Sequence, residues 1–356
     1  MNDIIIYKDS YLLTKNGYIL VQDLDIYNDI NNIKNNPIEI WNGTTWIFAK
    51  VKRYNDYISK KIYKLLLSDG CELYCPESFN LNIINSIKSN SLSDVNKTEV
   101  TNLKVNDLIY TFNFPIINNT LENKNILYPY THGYYCGCMN KINGFKDDLR
   151  FEANLIYLNL INDKQKIQKK IDICGKYSLD KTKNILTGLL KNDMDKNITS
   201  PICGNIENKL LWLSGLIDNN GFITYLKDAK YLNISVLSKK FAMEIKFLFN
   251  TLGINPNICL KNIIRKFKLE SGEIDEINNT HWVITLNAEE TNKIFLESEF
   301  DLKLYYLNYD KKLYSIDQDI NRYIYIKKIK ETKLKKDSYI MENINSCVIN
   351  GVLFYH

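Results

Sequence analysis

The sequence has little of what metal frameworks, secreted scaffolds and membrane anchors need. Its eight cysteines, at 71, 75, 136, 138, 174, 203, 259 and 347, form no CxxC pair. Its three histidines, His132, His281 and His356, are scattered. That excludes a zinc framework of the usual spacing. Without a disulfide pattern, the thiols are expected to be reduced, as in an intracellular protein. No apolar stretch approaches the ~20 residues that a spanning helix needs. The first residues, Met1 to Lys8, carry an acid where a signal peptide carries bases, and their apolar run is only Ile4 to Ile6. No targeting segment is expected there. Charge of one sign is also scarce: the net charge is +5 over 356 residues. Such an excess is compatible with a polyanionic partner but is common in proteins that never meet one.

What is present is an ordinary globular balance, 45% hydrophobic and 24% charged, in a chain long enough for two domains. The first 85 residues carry three pairs of apolar-rich runs, each joined by a tight-turn signal. Leu12–Thr14 and Tyr18–Val21 flank Asn16-Gly17, Ile38–Trp41 and Thr45–Val51 flank Asn42-Gly43, and Ile62–Leu67 and Cys71–Tyr74 flank Asp69-Gly70. Asn-Gly and Asp-Gly supply the positive φ of tight hairpins, so an all-β module is expected. A polar stretch, Asn90–Asn96, follows, then one more strand pair around Leu103–Phe112. Asn118–Asn125 reads as a linker.

From Tyr128 to about Leu307 the period changes. Tyr130–Asn140 and Lys209–Asn219 read as helices, each followed by strand-rich and helical segments. In Leu237–Leu252, the residues Phe241, Ile245, Leu248 and Leu252 recur at helical spacing, and Gly253 supplies the stop. The helix–strands–helix order appears twice, which points to an internal duplication. The last 45 residues return to strands, at Tyr323–Lys330, Tyr339–Met341 and Ser346–Phe354. A β region at each end of an α/β region is the pattern of one domain inserted into another.

Leu213-Ser214-Gly215-Leu216-Ile217-Asp218-Asn219-Asn220-Gly221 resembles the LAGLIDADG motif of homing endonucleases. The approach Ile206–Trp212 and the downstream Ser238–Ile254 also resemble the second repeat of intein endonucleases. Thr131–Met139 stands, more degenerate, where the first motif belongs. Leu12–Leu24, Glu39–Gly43 and Leu67–Leu73 resemble the splicing (Hint) domain of inteins, particularly those found in ribonucleotide reductases. Ile349–Leu353 resembles the intein C-terminal block. The resemblance implies an α+β protein: a discontinuous all-β Hint-like domain at 1–122 and 311–356, with a pseudo-two-fold αββαββα LAGLIDADG-like domain at 123–310. Internal pseudo-symmetry implies a monomer.

Motif helices of this family pack through small residues, here Gly133, Gly137 and Gly215. Ordinary core glycines would pack in the same way. Each family helix ends in a metal-binding acid, and those positions are Cys138 and Asn220. A neutral thiol is a poor ligand for Mg²⁺, and an amide brings no charge. Asp218 lies about 200° around the helix from Asn220 and is not expected to substitute. Splicing needs a nucleophile at about Ile5, a TxxH histidine that is here Ser78, and a terminal Asn that is here His356. No flanking segments to join are expected. Ser10, Cys71, Cys75 and Cys347 are alternative nucleophiles, each read more simply as a polar turn or a buried thiol. DNA contact in the family falls on strands of the insert. Lys239, Lys240, Lys261, Arg265, Lys266 and Lys268 are the candidates, with a solvated basic surface as the plain alternative. The lysines of 327–336 read equally well as an edge that blocks aggregation.

Three functions remain open at this point. The first is an intein-derived protein deficient in splicing and cleavage that serves as a double-stranded DNA-binding or nucleoprotein module, with no cofactor. The second is an active endonuclease using Mg²⁺ through an altered site. The third is a structural subunit of a viral or plasmid assembly that uses aromatic contacts.

Overall fold

The computed structural model describes residues 4–24, 37–54, 61–88, 91–110, 112–119, 129, 133, 136–137, 202–226, 229–268, 274–295, 324–332 and 338–355. Within these, the side chains of 54, 86–88, 91–94, 219, 226, 229, 262–268, 274–279 and 292–295 are not described. The chain divides into two compact units. Unit 1 is Met1–Asn118, Phe249–Cys259 and Ile320–His356, and unit 2 is Asn119–Leu248 and Leu260–Asp319. Three chain segments therefore build unit 1. The short middle one lies in a stretch that the sequence reading ran without a break from 123 to 310. The described residues are mostly antiparallel sheet with few helices.

Unit 1 holds strands β1 (Ile4–Tyr7), β2 (Tyr11–Thr14), β3 (Gly17–Leu20), β4 (Ile38–Trp41), β5 (Trp46–Tyr54), β6 (Ile62–Leu67), β7 (Glu72–Pro76), β8 (Asn80–Lys88), β9 (Ser91–Glu99) and β10 (Leu108–Ile109). It also holds β15 (Ile324–Thr332), β16 (Ser338–Glu342), β17 (Ser346–Ile349) and β18 (Val352–Tyr355). They join along the path β1-β16-β5-β4-β2-β17-β18-β8-β10-β15-β6-β7, with β3 on β2 and β9 on β8. Strands from the two chain ends alternate along this path. Ile5 pairs with Ile340, Ile349 with Leu12, and Phe354 with Leu81. Alternating side chains supply the core: Ile4, Leu12, Leu13, Leu65, Leu73, Phe79, Leu81 and Phe354 are essentially fully buried. Phe79 and Phe354 meet at 5.7 Å, and burying a ring of this kind stabilises by ~1.5–3 kcal/mol.

All three expected hairpins form, with the positive φ carried by the glycine alone. Gly17, Gly43 and Gly70 have positive φ, while the preceding Asn16, Asn42 and Asp69 do not. Pairing of Thr14 with Gly17 leaves Lys15 and Asn16 at the first tip. Asn42 and Asp69 instead use their side chains: Asn42 Oδ1 accepts from the Thr44 and Thr45 amides, and Asp69 Oδ1 from the Cys71 amide. Two consecutive positive φ values occur at Asn350 (+51°) and Gly351 (+79°), between paired Ile349 and Val352. There Asn350 Oδ1 accepts from the Tyr11 amide at 2.7 Å and its Nδ2 donates to the Glu72 carbonyl at 3.3 Å, tying three strands together. The polar stretch falls largely in strand β9, paired along β8. Of Leu103–Phe112, only Leu108–Ile109 is strand.

Unit 2 carries helices α1 (Ile206–Asn220), most of α2 (Lys239–Asn250) and α3 (Ala288–Phe295). Its four-stranded sheet runs β11 (Gly221–Leu226), β12 (Ala229–Val236), β14 (Ile274–Leu286) and β13 (Asn257–Lys268). Asn205 caps α1, its Oδ1 accepting from the Asn208 amide at 2.7 Å. Asn287 and Glu290 form a reciprocal capping box on α3. Gly253, at φ +75°, follows α2 as its composition requires. Of the first expected helix, Tyr130–Asn140, the described residues 133, 136 and 137 are helical.

Candidate functional site

The motif segment folds as the last two turns of α1 and the start of β11. Trp212, Leu213, Leu216 and Ile217 are fully buried, and Ser214 Oγ donates back to the Leu210 carbonyl at 2.9 Å. Gly133 lies against this helix. A Cβ built there would stand 1.9 Å from the Trp212 carbonyl oxygen. No side chain fits, so glycine permits the two backbones to approach, as expected of small residues at a helix crossing. One turn on, Asn220 is 5% exposed and its Nδ2 donates to the Gly137 carbonyl at 3.1 Å. Its Oδ1 is buried without a hydrogen-bond partner.

This arrangement does not fit a hard divalent cation. Asn220 spends its amide donor on the neighbouring backbone and offers one neutral oxygen, where Mg²⁺ prefers carboxylates and water. Cys138 lies outside the described residues. Asp218 is half-buried on another side of α1. Among the described residues, no group of three or more His, Cys, Asp and Glu is placed to hold a metal. An aspartate at 220 could not make the bond to Gly137, because a carboxylate only accepts.

The sheet has two different faces. Leu232, Ile234, Val236, Ile284 and Leu286 form an apolar face, with Trp282 in the same row. Lys239, at the start of α2, sits 6.0 Å over the Trp282 ring, on that face. Tyr231, Asn233, Ser235, His281 and Thr285 share the opposite face. Asn233 Nδ2 donates to Thr224 Oγ1 at 2.9 Å, Thr285 Oγ1 donates to Asn233 Oδ1 at 2.8 Å, and Ser235 Oγ lies 2.8 Å from His281 Nδ1. Asn233, Ser235, His281 and Thr285 in this row are all under 6% exposed. Sequence reasoning missed the network. Its signal is alternation of polar and apolar residues in Tyr231–Val236 and His281–Leu286.

The basic candidates are spread out. Lys240 is exposed beside Glu244, Lys239 is half-buried, and Lys261 is half-buried on β13 next to exposed Leu260. The side chains of Arg265, Lys266 and Lys268 lie outside the described residues. Further titratable groups are buried in unit 2, Lys209 and Glu244 among them. Burial pushes the Lys209 ammonium down to about 8, with an opposing pull from Cys203. It pushes the Glu244 carboxyl up to about 7, against a smaller lowering by Lys240. Glu244 Oε2 has no hydrogen-bond partner.

The splicing positions lie in unit 1. Ile5 is half-buried in the middle of β1, and Ser78 is exposed in the turn between β7 and β8. His356 lies outside the described residues. Neither Ile5 nor Ser78 brings a nucleophile and an activating imidazole together. The alternative nucleophiles are closed off: Ser10, Cys71, Cys75 and Cys347 are buried. Burial raises the Cys75 and Cys347 thiols far above the ordinary range, so neither is a thiolate at neutral pH. Cys71 Sγ donates to the Asn350 carbonyl at 3.7 Å.

No family model matches the chain. Over 265 residues the chain is 22% identical to the ribonucleoside-diphosphate reductase large subunit of Invertebrate iridescent virus 6, a match covering 72% of this chain and 25% of the reductase. The chain thus spans about a quarter of the length of the curated relative it matches. It is distantly similar to a viral ribonucleotide reductase large subunit, a similarity compatible with an intein-like element associated with such a reductase.

Proposed function

We propose that this is an intein-derived protein of the ribonucleotide-reductase type, a Hint-like domain interrupted by a LAGLIDADG-like domain. On this reading it has lost splicing and metal-dependent cleavage and serves as a double-stranded DNA-binding or nucleoprotein module. The observation that carries the reading is Asn220. At the position of a metal-binding acid, the chain keeps the close helix pair but uses the side chain as a neutral bond to Gly137. Ile5 and Ser78 show the same replacement of chemistry by ordinary residues. Similarity to a viral reductase supports the source of the element. Because the polar face of the sheet is buried at Asn233, Ser235, His281 and Thr285, the accessible part of the proposed duplex contact falls on β13 and the helix start, at Lys261 and Lys240.

Mobility shift with a duplex library tests this. The expected result is a shift that weakens steeply with salt and loses roughly 0.9 of its log–log salt slope for each phosphate-contacting lysine replaced, Lys261→Gln first. No shift at low salt removes DNA binding from the reading and leaves a protein assembly as the role. Cleavage of plasmid with Mg²⁺ or Mn²⁺, abolished by Asn220→Ala, would restore the endonuclease.

A further inference from the structure

The outer face of the sheet edge β1-β16-β5-β4 in unit 1 is unlike the rest of that unit. Its register puts Trp46, Phe48, Lys50 and Lys52 of β5 on one side, with Trp41 opposite Trp46, Glu39 opposite Phe48, and Ile340 and Ile5 in line with Lys52. The inward side of the same strands holds Ile4, Ile6, Ile40, Ala49 and Met341, all buried. Phe48 is 67% exposed, the most exposed large apolar side chain described. It does not stand alone: half-buried Trp41 and Trp46 share its face, so the exposed apolar surface here is an aromatic patch rather than a single scattered residue.

Its neighbours say what suits it. Lys50 and Lys52 follow at alternate positions, and both are exposed. Lys15 holds Glu39, the residue paired opposite Phe48, at 2.8 Å, as Lys52 holds Glu342. Both carboxylates on the face are thus neutralised, and the lysines exceed them by one (Lys15, Lys50 and Lys52 against Glu39 and Glu342). Trp41 and Trp46, both half-buried, meet edge to face at 5.0 Å beside Phe48. Protein interfaces deplete lysine around their aromatic anchors. An exposed ring platform with exposed lysines beside it instead matches a single-stranded nucleic acid, whose bases stack on aromatic rings while its phosphates track cations. A duplex hides its base faces and has no use for an exposed ring.

We propose that this face of unit 1 binds single-stranded nucleic acid, with Phe48 as the stacking platform and Lys15, Lys50 and Lys52 as phosphate contacts. The site is separate from the duplex contact placed in unit 2 and does not rest on it.

Fluorescence anisotropy of labelled oligo(dT) and oligo(U) with the intact chain is the test. Both strands are expected to bind, and their relative affinity identifies DNA or RNA as the preferred source. Phe48→Ala is expected to weaken binding about ten- to hundredfold, while Phe48→Tyr retains it. Lys50→Gln and Lys52→Gln should each remove roughly 0.7 from the log–log salt slope. Duplex shift through Lys261 should be untouched by these changes, and an unchanged melting temperature verifies folding. Failure of both oligonucleotides to bind at low salt overturns the proposal, as does binding that Phe48→Ala leaves intact. Loss of a co-purifying protein on Phe48→Ala, without oligonucleotide binding, assigns the face to a protein partner and also overturns it.

Discussion

Unit 1 and unit 2 bury titratable groups of opposite character. In unit 1 they include Tyr7, Tyr18, Cys75 and Cys347, all pushed upward by desolvation and therefore neutral at physiological pH. In unit 2 they include Lys209 and Glu244, whose charge changes fall near neutrality. The first kind costs nothing until pH passes the ordinary thiol range. The second imposes a desolvation cost where the protein works. Close packing differs in the same sense. A Cβ on Gly43 in unit 1 would meet the flexible end of Leu353 at 2.6 Å, whereas a Cβ on Gly133 in unit 2 would strike backbone. A sheet interleaved from both chain ends tolerates change at its turns. A helix pair built on backbone contact does not.

Gly133→Ala is therefore the sharpest way to break unit 2 alone. It is expected to destabilise that unit by about 3 kcal/mol, because overpacking against backbone cannot be relieved by a rotamer change. Gly43→Ala is expected to cost about 1–2 kcal/mol, mainly from its positive φ. Hydrogen exchange read separately on α1 amides and on β5–β6 amides measures both. Equal loss in the two units for Gly133→Ala would show that they unfold together.

Acidity separates the units next. Glu244 has a raised folded pKa, so its protonated form favours folding. That contribution is present below about 4.5 and is lost as pH rises to about 7. Lys209 has a depressed folded pKa, so its cost is full below about 8 and fades as pH rises toward 10.5. The two costs overlap between about 7 and 8, where unit 2 is expected to be least stable, while unit 1 stays flat from pH 5 to 8. Lys209→Met should stabilise unit 2 at pH 7 by ~1–3 kcal/mol. Glu244→Gln should remove the acid limb with a smaller gain at pH 8. Unit-resolved exchange from pH 4 to 10 measures this, and a flat profile in unit 2 contradicts it.

The smallest effect expected is kinetic. Cys75 and Cys347 should react with a thiol reagent only at the rate of global unfolding of unit 1. Labelling at pH 8 in the native state, faster than exchange of the β6 and β8 amides, would show that these thiols are reached by local opening.

Much of unit 1 could be read from its punctuation. Gly17, Gly43 and Gly70 mark hairpins because the backbone there enters a region glycine favours. β9 escaped notice because Ser91–Glu99 is polar on nearly every residue. Its strand character comes from backbone pairing with β8, which composition does not reveal. In the candidate site, the motif led directly to α1 and to Asn220. The direction of the Asn220 amide was not legible, because it depends on where Gly137 stands, 83 residues away. Lys209 and Glu244 look like solvated helix positions in sequence, and only tertiary packing takes them out of water. The polar row Asn233, Ser235, His281 and Thr285 could be read as an alternation, but not its burial.

On the proposed function, the chain keeps the framework of a metal nuclease without its metal chemistry. Incubation of the intact protein with a duplex target library and Mg²⁺ or Mn²⁺ tests it most directly, with strand cleavage and complex formation followed together. The expected result is a salt-sensitive complex with intact DNA, and none gained on Asn220→Asp, which instead destabilises α1. Site-specific cleavage by the unaltered chain that Asn220→Ala abolishes would contradict it.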